Sequence, residues 1–142
     1  MIDIKGFLME NKNKGLTIRV WFYTAFYRFC IRFIPMKHLR SCFGEEGKES
    51  LTEIDVDSYR YAKLVAKQVK LSATHTIWES KCLVQALTAQ RLLYKKGIES
   101  TLYLGVKKEN EQMIAHAWIR VGTLYVTGGN GKDYVVVAKY TK

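Results

Sequence analysis

The sequence predicts an α+β fold in which helices come first and an antiparallel sheet follows. Three observations support this prediction. Up to residue 96 the apolar residues recur at steps of three and four, as on the buried side of a helix. From residue 101 onward they alternate with a period of two, as in half-buried strands. The 142 residues are 48% hydrophobic and 25% charged, which is typical of a globular chain long enough to bury a core.

Residues 16–34 are the most apolar part of the chain, and Pro35 ends the helix that they predict. Three arginines interrupt the apolar run: Arg19, Arg28 and Arg32. Charges are costly at the centre of a membrane-spanning helix, so we do not expect this segment to cross a bilayer. It can instead pack as an aromatic helix, dock onto a partner protein, or contact a membrane surface, with its arginine side chains extending to the water at that surface. Residues 1–43 are therefore predicted to form a basic, aromatic N-terminal segment. All three roles stay open for it.

Residues 44–50 are polar and contain two glycines, so they are predicted to be a linker. The domain that follows is expected to span residues 51–142. Its first helix is predicted to begin at a cap residue, either Asp55 or Asp57, and to run to about residue 71.

The next predicted helix begins near Ser80 and ends near Lys96, where Gly97 is the expected left-handed stop. Its cap is either Ser80 or, one turn earlier, Thr76, which would form a capping box with Glu79. Strands are predicted after it, arranged as an antiparallel meander with a polar turn at residues 107–111. They cover residues 101–106, 113–121, 124–126 and 134–140.

The formal net charge of +10 comes from 23 Lys and Arg against 13 Asp and Glu. Such an excess attracts polyanions, anionic membranes or acidic peptides. The basic residues form no block of five, and no helix-turn-helix or zinc-finger pattern is present, so nucleic-acid binding is not expected. An odd number of cysteines, without a secretory signal, indicates the reducing cytoplasm.

A metal site or a bound cofactor is not expected either. No two cysteines have CxxC spacing, and His38 and His75 lack a partner at metal-ligand spacing. The glycine-rich residues 128–131 lack the Lys-Ser/Thr that follows a phosphate-binding loop, and they are interpreted as a turn between strands.

Cys82 is placed in the first turn of the helix that begins near Ser80. A helix N-terminus together with a nearby imidazolium can lower a thiol pKa from about 8.5 to as low as about 3.5. The unpaired N–H groups of that turn can also bind an oxyanion. The alternative is an inert cysteine that packs the start of the helix.

His116 lies in an apolar strand pattern, where an imidazole needs polar partners. Alternation places it on one face with Ile114 and Trp118. It is either the base that activates Cys82 or a core histidine bonded to a backbone carbonyl. Trp78 and Trp118 are expected to wall a substrate cleft.

A third group would orient the imidazole of His116. Asp133 is the only acid downstream of the histidine, so it is the first candidate. Asn130 and Thr127 are the alternatives.

The chain resembles the transglutaminase-like cysteine proteases of lasso-peptide biosynthesis over roughly residues 51–142, and residues 1–43 are similar to the lead-in of their stand-alone form. The resemblance rests on these stretches: Trp78-x-x-x-Cys82-Leu83-x-x-Ala86-Leu87, Arg91-Leu92-Leu93-x-x-x-Gly97-Ile98, Leu102-x-Leu104-Gly105-Val106 and Ala115-His116-Ala117-Trp118-Ile119.

What the resemblance implies is a transglutaminase- or papain-like core that removes the leader from a ribosomally made precursor peptide. It implies Cys82 as nucleophile and His116 as general base, with a leader-recognition protein and a lasso cyclase as partners. The family's acid usually stands on the strand after the histidine, but residues 124–129 hold none. Two other functions stay open: a non-catalytic module that escorts a peptide, and an amide-forming transglutaminase.

Overall fold

The protein is described by a computed structural model that covers residues 14–75 and 82–142. Helices precede a five-stranded antiparallel sheet, which confirms the predicted α+β fold class. The helices are α1 (Lys14–Phe33), α2 (Met36–Leu39), α3 (Val56–His75) and α4 (Cys82–Lys95), with a 3-10 turn at Arg40–Cys42. The strands are β1 (Glu45–Glu46), β2 (Thr101–Glu109), β3 (Gln112–Val121), β4 (Leu124–Thr127) and β5 (Val135–Thr141).

The order of strands in the sheet is β1-β5-β2-β3-β4, so the predicted meander is wrong at its last step. A meander would pair β5 with β4, whereas here β5 pairs with β2 on the far side of the β2–β3 hairpin. The connection between β4 and β5 must therefore cross the sheet. It passes close to β3, because a side chain at Gly128 would meet His116, and one at Gly131 would meet Trp118.

The turn between β2 and β3 is shorter than predicted. The strands continue through Lys107 to Glu109 and resume at Gln112, so only two residues form the turn. These are Asn110 and Glu111, both with positive φ, at 50° and 65°. Two consecutive positive φ values are typical of the type I′ turn, whose twist matches that of a hairpin.

Helix α3 begins at an Asp55 cap. The backbone N–H of Ser58 donates to Asp55 Oδ2 over 3.1 Å, and the Ser58 hydroxyl donates to Oδ1 over 2.6 Å. The first bond satisfies one of the unpaired N–H groups at a helix start. These bonds from Ser58 favour the carboxylate and lower the pKa of Asp55 below its usual value. Asp55, and not Asp57, is therefore the cap.

Replacing Asp55 by Ala should lower the midpoint of thermal unfolding by roughly 2–5 °C, because the cap bond is lost. Asp57→Ala is the matched control, since it removes an exposed carboxylate from the same turn without removing that bond. The difference between the midpoints of the two variants should shrink at low pH. The lowered pKa of Asp55 gives stability that is fully present above the pKa of this group in the unfolded chain. That stability is lost as the pH falls through the pKa of Asp55 in the folded protein. Equal midpoints for the two variants at neutral pH would contradict the assignment.

Helix α4 ends as predicted. Gly97 has φ +73°, its N–H donates to the Tyr94 carbonyl over 3.0 Å, and the N–H of Ile98 donates to the Leu93 carbonyl over 2.9 Å. This pair of bonds is the Schellman arrangement. It returns the chain toward the sheet, where β2 starts at Thr101.

The main core lies between the helices and one face of the sheet. Ala117, Ile119 and Val121 of β3 belong to this core, together with most buried side chains of α4. By strand alternation the intervening residues, His116, Trp118 and Arg120, point to the other face. This confirms the predicted grouping of His116 with Trp118, since their rings stack on each other.

The second face of the sheet is organised by buried Arg120. Its guanidinium donates to the Tyr103 hydroxyl over 3.0 Å, to the Ser50 carbonyl over 2.9 Å, and to the Gly122 carbonyl. Burial raises the pKa of the Tyr103 hydroxyl, and the bond from Arg120 opposes that rise. Arg120 thus ties the chain before α3 to the sheet.

Residues 44–50, which were predicted to be a linker, are built into the sheet. Glu45 and Glu46 form β1 and pair with β5, and the N–H of Ser50 donates to Thr101 Oγ1 over 2.7 Å. The side chains of Glu45 and Glu46 face solvent while their backbone is paired, so a polar composition is compatible with a place at the edge of the sheet. The division into residues 1–43, 44–50 and 51–142 stays a prediction.

Candidate active site

Cys82 is the first described residue of α4, and the predicted helix start near Ser80 stays a prediction because it lies outside the described residues. The Cys82 side chain is partly buried and packs against the main core. The N–H groups in the first turn of a helix have no partner within the helix, so they can bind a developing negative charge. Trp78, which was expected to wall the substrate cleft, and Ser80, near which the helix was predicted to begin, lie outside the described residues.

A cleft of about 560 Å³ opens beside the first turns of α4. Gln85, one turn after Cys82, lines it from α4. The remaining lining residues come from α3 and from the end of β4: Ala66, Lys67, Val69, Lys70, Val126, Thr127, Gly128 and Gly129. Among the described residues, the lining therefore combines apolar side chains with two lysines and contains no acid.

The imidazole of His116 is held by a backbone carbonyl. Its Nε2 lies 2.7 Å from the carbonyl oxygen of Gly128. A carbonyl can only accept, so Nε2 carries the proton and the lone pair is on Nδ1. The ring also stacks on Tyr134, at 4.8 Å between centroids, and on Trp118, at 5.8 Å. The side chain is therefore fixed both in orientation and in tautomer, with Nδ1 as the basic nitrogen.

None of the three predicted orienting residues is hydrogen-bonded to His116. Asp133 is exposed in the turn before β5. Asn130 accepts a bond from the N–H of Lys132 over 3.0 Å. The Thr127 hydroxyl is buried and has no hydrogen-bond partner among the described residues.

The group that orients the imidazole is the Gly128 carbonyl. A backbone carbonyl partner was expected for the alternative in which His116 is a core histidine, but which residue supplies it was not predicted. Gly128 has φ +75°, and a Cβ there would lie 2.5 Å from the Ala117 carbonyl oxygen and 2.8 Å from Trp118 Cβ. Only glycine allows the chain to approach β3 this closely. The sequence did offer one indication of this role. Gly128 and Gly129 stand in the region where the cysteine proteases that the chain resembles usually have their acid.

Trp118 supports the imidazole from beneath. It is 2% exposed and stacks on Tyr103 at 5.5 Å between ring centroids, with Gly131 directly against its indole. In this arrangement Trp118 does not present a surface to a substrate, in contrast to its predicted role as a cleft wall. It positions the catalytic candidate His116 by packing.

Cys82 and His116 lie at the same end of the sheet but on different sides of it. Helix α4 packs on the face that carries Ala117, whereas His116 points to the other face. Gly128 connects the two sides, since it lines the cleft beside α4 and also accepts the bond from His116. No hydrogen bond joins Cys82 to His116 within residues 14–75 and 82–142.

The edge of β3 next to His116 is open. Strand β4 pairs only with Ile119, Arg120 and Val121, so toward His116 the neighbouring position holds the Gly128–Gly129 turn instead of a strand.

Comparison with known proteins places the chain in a family. The family model described as the transglutaminase-like superfamily matches residues 33–139, which include Cys82, His116 and Gly128. No curated protein and no solved structure matches the chain. The superfamily comprises cysteine peptidases and transglutaminases, both of which transfer an acyl group to a thiol. The α+β architecture agrees with this match, and the chain therefore belongs to the transglutaminase-like superfamily.

Proposed function

We propose that this protein is a cysteine peptidase that removes the leader from a ribosomally made lasso-peptide precursor. The observation that carries the proposal is the His116–Gly128 bond, because it leaves Nδ1 as a base at the end of the sheet where α4 presents Cys82. Superfamily membership supports thiol acyl transfer. The choice of a lasso precursor rests on the resemblance carried by residues 78–119.

The proposed reaction has two steps. Nδ1 of His116 takes the proton of the Cys82 thiol, and the thiolate attacks the scissile carbonyl. The C–N bond breaks as the imidazolium returns the proton to the leaving amine, which leaves a thioester. A water molecule, deprotonated by His116, then attacks the thioester, giving a carboxylic acid and the free thiol. The N–H groups at the start of α4 stabilise the oxyanion in both steps.

This mechanism requires His116 and Cys82 to approach each other around the open edge of β3. The approach can be tested by alkylating Cys82 with iodoacetamide in a Cys42→Ser background, followed by mass spectrometry. If the imidazolium stabilises the thiolate, His116→Gln should slow alkylation at pH 6 by about tenfold or more. Equal rates for the two proteins would exclude the ion pair and with it this mechanism.

The two cleft lysines, Lys67 and Lys70, suit a peptide with an acidic side chain near the scissile bond. We expect Lys67→Glu/Lys70→Glu to raise KM for an acidic precursor roughly tenfold and to leave kcat nearly unchanged. The two glutamates would repel the acidic substrate equally in the bound ground state and in the transition state. Lys63→Glu/Lys108→Glu changes the net charge equally at exposed positions outside the cleft lining. A matching rise in KM for both double variants would show that only overall charge matters.

The function itself is tested by incubating the protein with a lasso precursor and a leader-recognition protein, without the lasso cyclase, whose ring closure would remove one water from the core, and by measuring the products by mass spectrometry. A peptidase gives a leader and a core whose masses sum to that of the precursor plus one water. An amide-forming enzyme gives a joined product without added water. A precursor that is bound but stays intact, whether or not Cys82 is present, would identify an escort module.

A further inference from the structure

Helix α1 exposes a continuous aromatic strip along its outer side. The strip consists of Ile18, Phe22, Phe26, Phe29 and Phe33, which are 57%, 64%, 48%, 61% and 63% exposed. At about 100° per residue these five positions fall within an arc of about 80°, so they form one line along the helix. The rings pack on each other, with Phe29 and Phe33 at 4.7 Å between centroids, and leave their outer faces to solvent. The opposite side of the helix is buried in the main core.

The charge around the aromatic strip has one sign. Residues 11–44 contain no Asp or Glu and seven Lys or Arg. Exposed Arg19 and Arg32 flank the strip, and the Arg32 guanidinium lies 5.9 Å from the centroid of the Phe33 ring. Exposed Lys37 and Arg40 follow at its C-terminal end. An apolar line bordered by cations is the pattern of a helix that lies in the interface of an anionic bilayer.

We propose that α1 binds an anionic lipid bilayer, lying parallel to its surface with the aromatic strip among the acyl chains and the basic residues at the lipid phosphates. None of the helices in the described ranges has the length and hydrophobicity needed to cross a bilayer, which agrees with a surface position. Helix α1 ends at Phe33, where the family match begins, so most of the aromatic strip lies outside the matched residues, while Lys37 and Arg40 lie within them. The inference does not depend on the proposed peptidase activity.

A second copy of the chain is a poorer occupant of the strip. Pairing two α1 helices would bring Arg19, Arg32 and Lys37 of one copy against the same basic surface of the other. Residues 11–44 supply no carboxylate to neutralise these charges, and like charges in an interface are strongly unfavourable. Anionic lipid headgroups provide the opposite charge and the apolar layer together.

The test is sedimentation of the full-length protein with vesicles of phosphatidylcholine alone or of phosphatidylcholine with 30 mol% phosphatidylglycerol. We expect binding to the anionic vesicles only, weakened at high salt. Phe22→Ser/Phe29→Ser should weaken that binding at least tenfold, because two immersed rings are lost. Arg32→Glu/Lys37→Glu/Arg40→Glu should weaken it by a similar factor.

Two matched controls keep the test specific. Val135→Ser/Val137→Ser removes side chains that are 69% and 60% exposed on β5, and Lys63→Glu/Lys108→Glu/Lys132→Glu reverses three charges elsewhere; both should bind as the native protein does. Thermal unfolding shows that each variant is folded. Absence of binding to anionic vesicles would overturn the proposal. So would a native dimer in light scattering that Phe22→Ser/Phe29→Ser converts to a monomer, since a second copy would then cover the strip.

Discussion

Cys82→Ala should lower the rate of precursor cleavage by about 10⁴-fold or more while the protein stays folded, because no other group can replace the thiolate as nucleophile. The side chain is only partly buried, so removing its sulfur leaves a small packing defect. The measurement is single-turnover cleavage followed by mass spectrometry, with circular dichroism to verify the fold.

The matched control is Cys42→Ser, which removes an exposed thiol outside the helix start and should leave the rate unchanged. Cleavage by Cys82→Ala at a rate close to that of the native protein would end the assignment of this chain as a cysteine peptidase. The bilayer proposal would survive that result, because vesicle binding is measured without a substrate.

Gly128→Ala should lower kcat about 100-fold, because a Cβ at this position collides with the backbone of Ala117 and pushes the carbonyl away from His116. Misplacing a catalytic group by about 1 Å can reduce a rate by that factor. The positive φ of Gly128 adds strain for an L side chain, on the order of 1 kcal/mol. Turnover and urea unfolding should both be measured, so that the kinetic effect is separated from the change in stability.

Gly129→Ala is a close control for this experiment. Gly129 has φ +73°, nearly equal to that of Gly128, but a Cβ there would meet no atom of residues 14–75 and 82–142 within 4 Å. Both variants therefore carry the strain of a positive φ, and only Gly128→Ala carries the collision. We expect Gly129→Ala to be destabilised by about 1 kcal/mol and to keep its kcat within a few-fold of native. Equal loss of turnover in the two variants would show that the Gly128 carbonyl does not position the base.

Periodicity predicted the elements of this fold well because it follows directly from which side of each element is buried. The three-to-four spacing located α3 and α4, and the alternation in β3 grouped His116 with Trp118. Periodicity does not say which strands are neighbours, so the pairing of β5 with β2 was not predictable from it. It also does not say which face of β3 the helices cover, and this decides the side on which His116 lies.

A backbone carbonyl was expected at His116 only if the histidine were a core residue, and the sequence did not identify Gly128 as the residue that supplies it. Asp133, Asn130 and Thr127 were candidates because their side chains can accept a hydrogen bond, but every residue has a backbone carbonyl that can do the same. What distinguishes Gly128 is the room that its missing side chain leaves beside Ala117, and this room exists only once β4 and β3 are paired. Likewise, the backbone pairing of Glu45 and Glu46 with β5 is invisible in their side chains.

The crossing from β4 to β5 has a consequence for how the protein is synthesised. The carbonyl that orients His116 is carried on a segment whose far end is anchored only when β5 docks against β2. On the ribosome, Cys82 and His116 leave the exit tunnel before that last strand does. A nascent chain therefore contains Cys82 and His116 before it contains the strand that anchors the segment carrying the Gly128 carbonyl.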